Sequence, residues 1–227
     1  LPESVEGLAI GAGGNITVVG GFLSFFLVYY VVESSKRFEE QYQLCMAAKG
    51  CVLDIASLAR AYLPRERGLR IVRYMNASYA AGFVGLSDAY SYNNYFLEIN
   101  KDMILLTEIE LNRIERCKMD QGGSCYREIV QWVQIEIKDL LDNDTIDKHT
   151  AKHFRTKLLT FQSSISQLFN FADQPIIFFY IHFICLVSSL YLPLFALDSA
   201  HKVGQERNDG DKSSWTADLV AGFIVFL

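Results

Sequence analysis

The side chains that could do chemistry in this sequence are few, and their spacing argues against most of that chemistry. His149 and His153 stand four apart and share one helix face, a spacing that can hold zinc. No Glu sits beside His149 in the metallopeptidase manner and no third ligand is obvious, so no metal site is expected. Asp139, Asp142, Asp144 and Asp147 lack the central glycine and closing Glu of a calcium-binding hand and read as a solvated helix end. Thr107 and Glu110, three apart, fit a helix cap rather than a catalytic pair. Cys45, Cys51, Cys117, Cys125 and Cys185 show no C-x-x-C spacing and no even count, as expected of reduced thiols. There is no phosphate loop, nucleophile elbow or dinucleotide fingerprint, so nothing recommends an enzyme.

One further group is polar in an apolar setting. His182 lies inside a charge-free run, where an ionisable side chain is costly and must face protein or water. It suits a functional role or a neutral imidazole bonded to a backbone carbonyl.

The other conspicuous pattern is aromatic. Gly21, Phe25 and Tyr29 recur every fourth residue, with Phe22 and Phe26 beside them, so rings stack along one side of a helix. Such a stripe commonly packs against a partner helix. Several copies arranged about an axis would instead make it a narrow, dry neck. Both roles are open at this level.

The elements that must carry these residues follow from charge segregation. Of 21 Lys+Arg and 26 Asp+Glu, all but three and all but seven fall within Glu33–Asp173, so a charged centre is bracketed by apolar ends. Residues 8–32 hold no charge and are long enough to cross a hydrocarbon core of about 30 Å. Residues 175–197 form a second charge-free run, and 219–227 read as the start of a third membrane helix, cut short. Buried helices of a soluble α-domain are the competing interpretation. Lys36 and Arg37 follow the first span while Glu3 and Glu6 precede it, which orients its C-terminal end toward the cytoplasm and 198–218 outside as a solvated, net-negative loop.

Residues 33–174 read as a cytosolic helical domain with few strand signals. The first span runs on into a helix that Pro64 stops, and Arg65–Gly85 forms the next. Thr107-x-x-Glu110 caps a helix bearing Ile109, Leu111 and Ile114. Ser124 reads as the N-cap of another, and the last runs from about Thr145 to Phe171 and leads through Pro175 into the second span. The fold class is therefore all-α, with membrane helices continuing into a cytosolic helical domain.

In this order the features resemble the bestrophin family of anion channels. Ser34-Ser35-Lys36-Arg37-Phe38-Glu39 is similar to the family's Arg-aromatic ending after its pore helix. Arg73-Tyr74-Met75-Asn76, followed by Leu106-Thr107-x-x-Glu110-x-x-x-Ile114-Glu115, resembles a second pair of family motifs. Ala172 through Tyr180 resembles the entry into its later membrane segment, with Ile177 where the family has a second proline. The resemblance covers roughly residues 20–197. It implies a homopentamer embedded in lipid that passes chloride or another small monovalent anion. The family's neck falls on Gly21, Phe25 and Tyr29, with Phe22 a substitute where Gly21 lacks a ring. Its lower constriction falls near Ile146 and His149. It implies no cofactor within these residues, and the calcium clasp of animal members draws on segments outside them. A non-conducting membrane scaffold whose cytosolic helices recruit partner proteins is the alternative from another class.

Overall fold

The computed structural model describes residues 3–120, 123–174 and 178–209, with side chains described for 18–120, 123–174 and 179–200. All regular structure among them is helical: α1 Glu3–Tyr62, α2 Arg65–Ala81, a π-helical turn Tyr92–Phe96 leading into α3 Leu97–Met103, α4 Glu108–Arg116, α5 Ser124–Asp142, α6 Lys148–Asp173 and α7 Phe178–Asp209. The chain divides into two compact units, 1–36 with 176–227, and 37–175. Helix α1 belongs to both. At about 1.5 Å per residue its length is about 90 Å, and it ends where Pro64 withholds an N–H.

In the first unit, α1 and α7 run antiparallel. Gly20 meets Tyr191, Phe26 meets Phe183 edge-on at 5.4 Å, and Tyr30 stacks on Tyr180 at 6.5 Å. The Tyr180 hydroxyl donates to the Phe26 carbonyl at 2.7 Å. A Cβ at Gly20 would lie 2.6 Å from the Tyr191 hydroxyl, so a larger residue there would push the Tyr191 side chain aside. Leu23 and Ile184 are buried between the helices.

In the second unit, one face of α1 (Ala48, Cys51, Val52, Ile55, Ala59) joins Ile71 and Met75 of α2 in the core. Ile129, Val133 and Ile137 of α5 and Phe154, Leu158, Phe161 and Ile165 of α6 complete it. These steps of three and four keep apolar groups on one side of each helix. Charge fixes the seams. Arg67 and Arg70 of α2 reach Glu136 of α5 at 2.6 and 3.0 Å, and Lys157 of α6 reaches Asp54 of α1 at 2.6 Å. Arg37 donates to the Phe171 carbonyl and lies over the Phe171 ring.

Several boundaries differ from the sequence expectation. Segment 198–218 is not a loop throughout, because α7 continues to Asp209; 210–227, with the third membrane helix expected at 219–227, lie outside the described residues. Residues 198–209 hold no proline and one glycine, Gly204, whereas the turn-forming cluster begins at Gly210. Ser124 is the first residue of α5 rather than its cap. Gly123 occupies the cap position, where a Cβ would come within 3.2 Å of Tyr126 and 3.3 Å of Phe169. Helix α6 starts at Lys148 because the Asp147 carboxylate accepts from the N–H groups of His149 and Thr150. It stops at Asp173, and α7 is a separate helix from Phe178; 175–177, with Pro175, lie outside the described residues. The π-helical turn and α3 carry no amphipathic repeat long enough to be read from sequence.

Candidate functional site

The aromatic stripe divides by face. Leu23, Phe26 and Tyr30 point to α7, whereas Phe22, Phe25 and Tyr29 are 61%, 66% and 53% exposed. A Cβ at Gly21 would meet nothing within 4 Å. Tyr29 lies at the border between the faces, its ring edge-on to Tyr180 at 5.8 Å. The intrachain packing role therefore belongs to Phe26, which the spacing placed beside the stripe. In the most apolar windows of α1 and of α7 only 6% of residues are buried within the chain. Core helices of a soluble protein would be mostly buried there, so these two present their apolar surface outward.

The other predicted positions separate. Ile146 is 7% exposed and packs in the core of the second unit, so its side chain is not free to line a passage. Its N–H donates to the Leu140 carbonyl at 3.4 Å, tying the turn to the end of α5. His149, on the first turn of α6, is exposed, and its ring meets that of His153 at 4.6 Å. No group of three metal-ligating side chains occurs among the described residues.

Two motifs that sequence places about thirty residues apart form one cluster. The Arg73 guanidinium grips Glu110 with both terminal nitrogens, at 2.7 and 2.8 Å, and donates to the Leu105 carbonyl at 2.9 Å. The Tyr74 hydroxyl donates to the same carboxylate at 2.6 Å, and the Thr107 N–H donates at 2.7 Å. Thr107 and Glu110 complete the capping box that their spacing predicts. Burial alone would raise the Glu110 pKa, but donors from Arg73, Tyr74 and Thr107 outweigh it and hold the carboxyl down at about 2. Burial, and then the bond to Glu110, push the Tyr74 phenol up to about 12. Every acceptor lone pair of interest is spent on structure, so the cluster is a clamp between α2 and α4. Beside it, Arg113 of α4 reaches Glu128 of α5 at 3.3 Å and lies over the Trp132 ring, whose N–H donates to Glu128 at 2.8 Å.

An all-helical chain with two long, outward-facing apolar helices and a charge-clamped helical unit has the makeup of a helical membrane protein. The family model described as "Bestrophin, RFP-TM, chloride channel" matches residues 16–227, and the chain belongs to the bestrophin family, a family of membrane-embedded channels. A crystal structure of a bacterial bestrophin homolog from Klebsiella pneumoniae, in a mutant form, matches with a TM-score of 0.73 at 20% identity, covering 94% of this chain and 72% of that one. Another mutant of the Klebsiella pneumoniae homolog gives 0.75 at 18% identity over 94% and 72%. A mutant described as a membrane protein gives 0.75 at 19% identity over 93% and 71%. No curated protein sequence matches the chain.

Proposed function

We propose that this chain is one subunit of a passive anion channel, a homopentamer in which α1 of each copy contributes Phe22, Phe25 and Tyr29 to a central neck. The observation that carries this reading is an aromatic face that stays exposed among the described residues, with Tyr29 touching Tyr180 only at its border, on a charge-free helix in a chain of a channel family. Aromatic rings have electropositive edges, so a partly dehydrated chloride passing edge-on loses less than a cation would, and narrow apolar rings close by dewetting. Gly21 leaves the outermost ring to Phe22. The remaining apolar surface of α1 and α7 faces lipid, and residues 33–174 lie on the cytosolic side that Lys36 and Arg37 specify. At the cytosolic mouth His149, rather than the core residue Ile146, is the group that meets passing ions.

Anion flux through liposomes reconstituted with the chain, followed by single-channel recording, tests the reading. Phe25→Ala widens the neck and raises conductance or weakens closure. Single-channel currents identical to wild type would overturn the neck assignment, and the absence of any anion flux would overturn the channel. Imidazole is the side chain whose ordinary titration falls nearest neutral pH. His149→Ala is therefore expected to change the pH profile of the current, and an unaltered profile removes His149 from the mouth.

A further inference from the structure

The hairpin of α5 and α6 carries a feature that the conduction path does not use. The helices are joined by the short turn 143–147, so residues equally far from it stand opposite one another, Lys138 across from Lys152 and Gln134 across from the turn of α6 that bears Arg155. On α6, Lys148, Lys152 and Arg155 follow at steps of four and three and share one side of the helix. With Lys138 they rim an open pocket of about 410 Å³. Its floor is the outer edge of the core: Ile137, Ala151 and Leu158.

No acidic side chain lines this pocket, and none of the four cations makes an ion pair with a described residue. Elsewhere in the same unit Arg67, Arg70, Arg73, Arg113 and Lys157 each meet a carboxylate. Four like charges around one concavity repel each other, and an anion of high charge density relieves that repulsion. The volume suits a small molecule rather than a folded segment. A single carboxylate brings one charge, whereas linked phosphates bring several within a few ångströms and offer oxygens to both ammonium groups and a guanidinium fork.

We propose that the α5–α6 groove is a binding site for a ligand carrying several clustered phosphates, held by Lys138, Lys148, Lys152 and Arg155, with the apolar floor receiving whatever uncharged part is attached. The ligand is either a free organic polyphosphate or a polyphosphorylated lipid headgroup. The site does not depend on the channel reading and is tested apart from it.

The test is calorimetric titration of the purified full chain with sodium tripolyphosphate. Binding is expected to weaken at least about ten-fold in Lys138→Gln/Lys152→Gln/Arg155→Gln, through loss of charge-assisted bonds. The control Lys49→Gln/Arg60→Gln/Lys118→Gln removes the same charge elsewhere on exposed helix and turn positions and is expected to bind as wild type. No binding to wild type, equal loss in both variants, or equally tight binding of a glutamate oligomer would each overturn the proposal. A circular-dichroism melt of each variant excludes unfolding as the cause. Repeating the titration on the chain in liposomes with and without phosphatidylinositol bisphosphate distinguishes the two sources. Competition by the lipid identifies a headgroup site, and undiminished tripolyphosphate binding identifies a soluble ligand.

Discussion

At the scale of single residues, the firmest prediction concerns Glu110. Its folded pKa lies at about 2 against an ordinary 4.5, so its contribution to stability is complete above about pH 4.5 and disappears as pH falls toward 2. Glu110→Gln keeps the shape but gives up the bidentate ion pair with Arg73. Breaking a half-buried charge pair of this kind costs about 2 kcal/mol at neutral pH. Thermal melts at neutral and acidic pH check it: the gap between wild type and variant should shrink as the wild-type carboxyl protonates, and a constant gap would show that charge plays no part. A second residue works in the opposite direction. The Tyr92 hydroxyl is buried and finds no hydrogen-bond partner among the described residues. Tyr92→Phe should leave stability unchanged or raise it by up to about 1 kcal/mol, because an unsatisfied buried hydroxyl carries a desolvation cost. A clear loss in a denaturant melt would mean that the hydroxyl is satisfied by bound water. The roles of these residues were unevenly legible in the sequence. Thr107 and Glu110 announce a cap by their spacing alone, but Arg73 and Tyr74 close on Glu110 only through the packing of α2 on α4, which no local pattern encodes. The same spacing does not say which apolar residues of α4 dock: Ile114 is buried and Leu111 packs against the core, while Ile109 is 82% exposed.

At the scale of elements, the contact between α1 and α7 depends on a small residue. Gly20→Leu would force a branched side chain into the Tyr191 ring, which already stands within 3.0 Å of an added Cβ, and the antiparallel pair would have to separate. The expected outcome is a lowered melting temperature of the detergent-solubilised chain, with recovery in Gly20→Leu/Tyr191→Ala, where the space is returned. Failure of the second change to restore stability would mean that the contact does not hold the helices together. Long elements were the legible ones. The charge-free runs beginning at residues 8 and 175 and the steps of three and four from Phe154 to Leu168 leave few alternatives to helix, and Pro64 ends α1 where proline must. Ends without such a marker moved: α7 extends through 198–209 because its residues there are polar yet helix-competent, and polarity signals exposure rather than the end of a helix. Likewise Gly123 rather than Ser124 stands at the cap of α5, in a position where a Cβ would press on the Tyr126 and Phe169 rings, and the Phe169 contact comes from far along the chain.

At the scale of the whole molecule, the faces of α1 make different demands. Within the first unit Leu23, Phe26 and Tyr30 are covered by α7, and within the second Ala48, Ile55 and Ala59 are covered by that unit's own helices. In the first unit Phe22, Phe25 and Tyr29 stay exposed, and in the second so do Phe38, Tyr42, Met46 and Leu53, which follow at helical steps beyond the charge-free run. Lipid can cover apolar groups on a charge-free run, but the second group is interspersed with Lys36, Arg37, Glu39, Glu40 and Lys49, whose charges are costly in hydrocarbon. A ring of identical chains covers both at once, placing one stripe toward the axis and the other against a neighbour, which is why we expect self-association rather than a lone subunit. The particle mass in detergent, by light scattering corrected for bound detergent, should equal five times 25.8 kDa. Phe38→Glu/Met46→Glu, which places charge on the lower stripe without touching the core or the neck, should reduce that mass and abolish anion flux together. A wild-type particle of one or two chains leaves no closed ring for an axial neck and favours a scaffold that binds other proteins through its helical unit. Loss of the ring with flux retained would instead show that conduction takes place within a single chain, away from Phe25.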